Sequence, residues 1–170
     1  MVGEEIVPFI GVQRRLPSAQ SYSTVLARIS AILGAEPISL SVMLNMETVN
    51  RADNLKSVRY RHDDQGAFVL LRMTDLSELT SRSSEAKRMA RFEIGHPKLM
   101  QSMFHHEVLS ALFAPIGIML IEERVETTCS LNYVVPSTLT VLGANSRLAT
   151  EAKELDVQVQ ELVGRLASGE

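Results

Sequence analysis

The sequence predicts an α+β fold in which a largely antiparallel sheet is covered by helices on one face. Strand-like and helical segments follow one another without the regular spacing of repeated parallel β-α-β units. Two strand-like segments, 116–121 and 125–135, flank a short polar stretch at residues 122–124, which is typical of an antiparallel hairpin. The most regular amphipathic helix of the chain, residues 146–167, follows this hairpin.

The composition fits one compact domain, residues 1–170, with a core of about residues 5–165. Hydrophobic residues make up 45% of the chain, which is enough to bury a core without disulfides or metal. Because the net charge is −3, the chain lacks the basic surface that nucleic acid requires, and we expect no such partner. The single cysteine, Cys129, excludes an internal disulfide and favours the cytoplasm.

We expect neither a secretion signal nor a membrane partner. The N-terminal residues are acidic where a signal peptide is basic, and Pro8 and Gly11 interrupt their apolar run. The longest apolar segment is far shorter than the roughly 20 residues that a bilayer requires.

The first third of the chain begins with a predicted strand at residues 5–15, with Pro8 at its start or on a sheet edge. The pattern then changes to helical spacing over residues 18–33, and Gly34 supplies the stop. Strict alternation over residues 38–46 predicts a short strand, and three-residue steps from Val49 to Val58 predict a short helix.

The middle of the chain contains two further predicted strands. A polar turn at residues 63–66 precedes a buried strand at residues 67–73, and the serine-rich residues 74–87 are interpreted as an exposed polar loop. Residues 89–94 form the next predicted strand, which Gly95 ends.

A helix is predicted from Pro97 to Glu107, because proline is well tolerated in a first helical turn. Residues 108–114 either continue this helix or form a second short turn, and Pro115 opens the hairpin. In the second hairpin strand, alternation places Cys129, Leu131 and Tyr133 on one face and Thr128, Ser130 and Asn132 on the other.

The C-terminal helix carries an apolar stripe with alternating steps of four and three residues, formed by Leu148, Ala152, Leu155, Val159, Leu162 and Leu166. Such a stripe can cover the sheet of its own subunit or can pair with a second copy as a coiled-coil seam. We favour the first interpretation and keep a homodimer as the alternative.

Several short motifs of residues 89–136 carry a resemblance to a known family. They are Gly95-His96-Pro97 before the helix, Phe113-Ala114-Pro115 before the strand, and Tyr133 to Ser137 at the end of the hairpin. In these motifs, and in its order of elements, the chain resembles the domain of unknown function 302 family. The resemblance implies a TATA-box-binding-protein-like fold, a curved antiparallel sheet against helices, without any implication of DNA binding.

Two positions depart from the pattern of that family. His96 stands where the family has asparagine, which is the better helix cap, and Asp75-Leu76-Ser77 stands where many relatives have Asp-His-Gly. If the family histidine takes part in chemistry, this chain has lost it. The family has no agreed activity, so the resemblance implies a fold and no function.

The candidate catalytic residues are His96, His105 and His106, since histidine alone titrates near neutral pH without perturbation. Neighbouring helical residues point about 100° apart, so His105 and His106 do not face one ion, and we predict neither a metal site nor a cofactor. The simplest interpretation is a capping, a surface and a half-buried histidine, respectively.

The candidate ligand-binding residues are Gly95, His96, Pro97, Met103, His106, Cys129 and Tyr133. The turn before the helix offers backbone N–H groups as an anion or carbonyl-oxygen site. A Cys129–His106 nucleophile pair would need an exposed thiol and a third orienting group. The abundant methionines suit an adaptable apolar pocket between sheet and helices, although ordinary core packing explains them equally well.

Three functional hypotheses follow from these residues. The first is a small-molecule-binding or pathway-accessory protein that holds a small apolar ligand between sheet and helices. The second is a cofactor-independent isomerase, hydrolase or dehydratase that uses histidine as acid or base. The third is a structural homodimer that uses the stripe of residues 146–167.

Overall fold

The computed structural model describes residues 10–43, 68–81, 87–124, 127–139 and 146–169. They contain an antiparallel sheet of five strands in the order β1-β5-β4-β3-β2. The strands are β1 (Gln13–Ser18), β2 (Val69–Asp75), β3 (Met89–Gly95), β4 (Ile116–Arg124) and β5 (Thr128–Val134). The predicted α+β class with an antiparallel sheet is therefore confirmed.

The described residues contain the α-helices α1 (Tyr22–Leu33), α2 (Pro97–His106), α3 (Pro136–Leu139) and α4 (Ser146–Ser168), and residues 40–43 are helical as well. Two 3₁₀ segments, Ser77–Leu79 and Val108–Phe113, follow β2 and α2. The predicted helices at residues 18–33, 97–107 and 146–167 are confirmed to within a few residues at their ends.

Local capping explains the ends of α1. The Ser21 hydroxyl accepts a hydrogen bond from the Thr24 N–H (3.2 Å) at the start of the helix. At the other end, Gly34 has φ 98°, a conformation that glycine adopts without the penalty of a Cβ atom. Between these caps, Val25 and Ile29 are buried, so α1 presents its apolar face to the core.

The apolar stripe of α4 packs within its own chain. All six of its residues are buried as part of the main hydrophobic cluster, together with residues of α1 and of β3, β4 and β5. The interpretation that the stripe covers its own sheet is correct. A dimer that used this stripe would first have to expose it.

The sheet buries one face under α1, α2 and α4. Alternate residues point to this face, as in the row formed by Phe92, Ile118 and Tyr133 on three neighbouring strands. The next row, Arg91, Met119 and Asn132, points the opposite way. That second face is called the open face below; α3 lies at one end of it, and Met43 of the helical residues 40–43 packs over Gly95.

A buried ion pair lies on the helix side of the sheet. Arg88 holds both carboxylate oxygens of Glu122, through Nη2 to Oε1 (2.6 Å) and Nε to Oε2 (3.2 Å). The Arg88 guanidinium also lies over the Tyr22 ring, 4.9 Å from its centroid, and donates to the Ser23 hydroxyl (3.0 Å). Glu122 is only 4% exposed, and these contacts compensate for the free-energy cost of burying its carboxylate.

This ion pair explains one wrong prediction. Residues 122–124 were predicted to form the turn of the hairpin, but they belong to β4. Glu122 is neutralised by Arg88 on one face, and Glu123 pairs with Arg15 (2.7 Å) on the other. Charges that are paired on both faces do not break the strand, so β4 continues to Arg124.

Three other boundaries differ from the predictions. Of the predicted strand 5–15, the described residues 10–12 lie outside β1, which begins at Gln13 and continues to Ser18; it includes Pro17, which β1 tolerates because it is an edge strand. Residues 40–43 are helical within the stretch predicted as a strand. The predicted loop 74–87 begins inside β2 and includes a 3₁₀ turn.

Some predictions lie outside the described residues. They concern residues 5–9, the remainder of 38–46, the helix from Val49 to Val58, the turn at residues 63–66 and the loop residues 82–86.

Candidate functional site

A groove opens on the open face, at the end of the sheet where β4 begins and β5 ends. Its volume is about 520 Å³, and it is formed by residues of the four strands β1, β3, β4 and β5, by the segment that precedes β4 and by the helix α3. The described residues that line it are Gln13, Arg91, Leu112, Phe113, Ala114, Pro115, Ile116, Gly117, Met119, Asn132, Tyr133, Val134, Pro136 and Leu139.

The floor of the groove is open because β4 has a glycine there. Gly117 pairs with Glu93 of β3, and the Arg91 guanidinium lies over it. A Cβ atom at Gly117 would be 3.4 Å from Arg91 Nε, so a larger side chain would occupy the space beside this arginine. The glycine therefore creates room on a face that would otherwise be filled.

Arg91 is the only charged residue among the described residues that line the groove. Its Nη2 atom is 3.6 Å from Glu93 Oε1, and Arg72 Nε is 3.5 Å from the other oxygen of the same carboxylate. Two guanidinium groups thus share one carboxylate, and the cluster retains a positive charge. The Arg91 side chain is 52% exposed, so this charge is accessible from solvent.

Asn132, which lies in the same row as Arg91 with Met119 between them, is fixed by a chain of hydrogen bonds across the open face. Its amide nitrogen donates to the Ser130 hydroxyl (3.0 Å), which donates to Glu123 Oε1 (2.5 Å). The bond from Ser130, and then the contact with Arg15, lower the pKa of Glu123 below its ordinary 4.5. Ser130 and Asn132 are consequently buried, although they face away from the core.

Apolar side chains form one wall of the groove. Phe113 and Leu112 come from the 3₁₀ segment Val108–Phe113, and Leu139 comes from α3. Leu112 is 74% exposed, and Val108 and Leu109 of the same segment are exposed as well. The groove thus combines apolar walls with one cation on its floor.

The predicted candidate His96 lies outside this groove and has a structural role. Its Nδ1 atom accepts the Leu99 N–H (3.2 Å), so the imidazole caps α2 as the asparagine of the resembled family would. The ring also packs edge-on against Phe68 and makes a hydrogen bond with Gln158 of α4. Histidine replaces asparagine here because it caps α2 and reaches α4 at the same time.

His96 makes the stability of the fold depend on pH. Burial lowers the pKa of His96 from its ordinary 6.5, because the neutral imidazole is the form that fits. Below about pH 6.5, the unfolded chain binds a proton at this histidine and the folded chain does not. The free energy of unfolding therefore falls as the pH is lowered, until the pH reaches the pKa of His96 in the folded chain. We expect His96→Asn to remove this decrease, as measured by urea unfolding at a series of pH values.

His105→Gln is the matched control for this measurement, because His105 is exposed. It should leave the pH dependence of wild type unchanged. Equal pH profiles for wild type and His96→Asn would contradict the assigned role of His96.

His106 belongs to a separate cluster where α2 packs against α4. Its Nε2 atom is 3.7 Å from Glu151 Oε1, which also accepts the Ser102 hydroxyl (2.6 Å). The carboxylate lies at the centre of this cluster and contacts both other side chains. In a nucleophilic triad the histidine contacts the serine instead, so this arrangement does not activate Ser102 through His106.

The three histidines do not converge on one point. His96 contacts Gln158 and His106 contacts Glu151, and these partners are seven residues apart on α4, about 10 Å along its axis. His105 is exposed, with its ring centroid 5.7 Å from that of His106. None of these three histidines lines the groove. The catalytic role suggested for them remains a prediction.

The predicted turn Gly95-His96-Pro97 is occupied by its own chain. The His96 N–H points to Met100 Sδ (3.2 Å) and the Leu99 N–H is capped by His96 itself. A Cβ atom at Gly95 would collide with Met43 Sδ and lie 3.3 Å from Met100 Sδ, so close packing explains the glycine. These N–H groups are therefore not available as an anion site.

The remaining predicted ligand-binding residues are core residues. Met103, Cys129 and Tyr133 are all buried in the main hydrophobic cluster. Burial raises the pKa of the Cys129 thiol, which disfavours the thiolate that a nucleophile needs. Of the seven predicted residues, only Tyr133 also borders the groove.

Two absences apply to the described part of the chain. It contains no group of three or more His, Cys, Asp or Glu side chains placed to hold a metal ion. None of its helices combines the length and the apolar character needed to cross a membrane.

Apart from Tyr133, the residues that form the groove were not predicted as a site. Arg91, Gly117 and Met119 lie within strands that were recognised, and Asn132 was assigned to the correct face. The available signal was that Arg91 and Asn132 alternate with core residues in their strands. That signal alone does not reveal that the two strands bring them to one row.

A comparison with solved structures supports the fold described above. No family model matches the chain, and no curated protein matches it. Among solved structures, it is similar to an uncharacterized conserved DUF302 protein from Bacillus stearothermophilus, with a TM-score of 0.61 and 12% identity. The alignment covers 91% of this chain and 97% of that chain. The resemblance predicted from residues 89–136 is thus supported, and the chain has the fold of that DUF302 structure.

Proposed function

We propose that the protein binds a small, largely apolar molecule in the groove of the open face, as a cytoplasmic accessory protein of a pathway. The observation that supports this proposal is the groove itself. Its volume of about 520 Å³ lies within the range of about 300–1,000 Å³ that is usual for small-molecule sites.

The lining of the groove has the composition of a ligand site. Apolar side chains dominate it, and its polar groups are few: Gln13, Arg91 and Asn132. Binding sites for small molecules typically combine apolar walls with a small number of fixed polar groups that orient the ligand. Asn132 is fixed by Ser130, and its strand is internal to the sheet, so this part of the site is formed before a ligand arrives.

The proposed site differs in position from the pocket that was predicted between sheet and helices. The side chains around which that pocket was predicted, Met103 and Tyr133, are packed in the core. A pocket there would require a cavity in this core, whereas the groove is already accessible. The proposal therefore keeps the predicted class of ligand and moves its site to the other face of the sheet.

Gly117→Val is expected to block the site and to preserve the fold. Valine suits a strand, and the three atoms nearest to a Cβ at Gly117 all belong to the guanidinium of Arg91, at the far end of a long side chain. In ¹H–¹⁵N NMR titrations of the full chain with octanamide, a neutral apolar probe, we expect saturable shifts at the amides of Gly117, Met119 and Val134. In Gly117→Val, the remaining groove amides should shift at least about tenfold less at the same probe concentration.

Gly164→Val is the matched control, because a Cβ atom at this α4 position has nothing within 4 Å. It should bind octanamide as wild type does. The proposal fails if neither octanamide nor octanoate produces saturable shifts at the groove, or if Gly117→Val responds as the control does.

A further inference from the structure

The charge distribution of the open face indicates the chemical class of the ligand. Arg91 and Arg72 share the carboxylate of Glu93, and Arg91 alone extends into the groove. A ligand with a negative group can therefore pair with Arg91 without displacing a complete ion pair, since Arg72 still neutralises Glu93.

The geometry of the floor supports the same conclusion. The guanidinium of Arg91 lies over Gly117, where no side chain separates it from the groove. It is a planar fork of N–H donors that matches the two oxygens of a carboxylate. A cationic ligand would meet this guanidinium unfavourably, and a neutral ligand would leave its charge without a second partner.

The walls limit the rest of the ligand. Phe113, Met119, Val134 and Leu139 present apolar surface beside the guanidinium, and Leu112 extends it to the rim. Each methylene that leaves water on such a surface strengthens binding by about fourfold. An anion without an apolar part would gain nothing from these walls.

We infer that the groove takes an aliphatic monocarboxylate, with its carboxylate on Arg91 and its chain along the apolar wall from Phe113 to Leu139. This inference rests on the proposed function, because it names the ligand class of the same groove. The other ligand classes that fit the volume are neutral amides and alcohols, or amines, and each gives a different result in the test below.

The test compares octanoate, octanamide and octylamine, which differ mainly in the charge of the head group. Their affinities for the full chain are measured by NMR titration and isothermal calorimetry at low salt. We expect octanoate to bind at least about tenfold more tightly than octanamide, since a hydrogen bond to a charged group is stronger than one to a neutral group. Octylamine should bind more weakly than either.

Two substitutions should change the octanoate affinity in opposite directions. Arg91→Gln should reduce the preference for octanoate over octanamide to within about twofold. Glu93→Gln should strengthen octanoate binding, because it removes the carboxylate that competes for Arg91. A purely structural role for either residue would not give opposite effects.

Arg15→Gln is the matched control, because it removes one positive charge from the open face but lies outside the groove and pairs with Glu123. It should leave the preference for octanoate unchanged. If octanamide and octanoate bind equally to wild type, the inference is wrong while the proposed function stands. A preference that survives Arg91→Gln also overturns the inference.

Discussion

Leu155→Glu is expected to unfold the chain rather than to split a dimer. Leu155 is 3% exposed and lies in the stripe by which α4 covers the sheet. Truncating such a leucine costs about 2–5 kcal/mol, and an unpaired carboxylate in its place adds a further cost of similar size. The sum is comparable to the whole free energy of unfolding of a domain, about 5–15 kcal/mol. We expect loss of the cooperative transition in thermal and urea unfolding followed by circular dichroism.

Val157→Glu is the matched control, since Val157 is in the same helix and is 56% exposed. It should stay folded, with a midpoint close to that of wild type. A Leu155→Glu protein that remains folded and passes from dimer to monomer in size-exclusion chromatography would contradict the packing of α4 and would restore the predicted homodimer seam.

Arg88→Met is expected to cost about 3 kcal/mol, because it removes the guanidinium that neutralises the buried carboxylate of Glu122. The Glu122 side chain is 5% exposed and the Arg88 side chain 38%, so water can replace only part of what arginine provides. We therefore expect the lower end of the range of about 3–5 kcal/mol that is usual when one member of a buried pair is removed. Urea unfolding at pH 7 measures this difference.

Two variants separate the charge effect from the loss of packing. Arg15→Met breaks the exposed pair with Glu123 on the opposite face, and it should cost less than about 1 kcal/mol. The double variant Arg88→Met with Glu122→Leu should recover most of the stability, because no buried charge then lacks a partner. A double variant as unstable as Arg88→Met would show that the ion pair is not the source of the effect.

The predictable part of the fold follows from local patterns. The helix α1 has a serine cap, a regular apolar face and a glycine stop, all of which lie within its own residues. The helix α2 begins at Pro97, which is also a local signal. Such elements could be recognised because hydrogen bonds and caps within a few residues decide their ends.

The wrong predictions of strand boundaries arise where contacts between residues distant in the sequence determine the structure. Glu122 and Glu123 look like turn residues in isolation, yet Arg88 and Arg15 keep them in β4. The first strand was predicted to end at residue 15, but β1 continues through Pro17 because an edge strand tolerates proline. In both cases, the strand boundary depends on parts of the chain that are far away in the sequence.

The candidate site was the least predictable feature. His96, His106 and Cys129 were chosen because their side chains are chemically reactive, and the structure distributes them over three separate parts of the molecule. The groove consists mainly of residues without reactive groups, so no motif indicates it. Its cation, Arg91, is one of many arginines in the chain, and only the register between β3 and β4 sets it beside Met119, next to Gly117.

The sequence by itself determined the α+β class, the order of most elements and the apolar stripe of α4, because periodicity and caps act over a few residues. Only the tertiary structure decided that the stripe is covered by its own sheet and that His96 joins α2 to α4. It also decided that a groove with one arginine opens on the other face. These features depend on strand register and on contacts between residues far apart in the chain, which no local pattern contains.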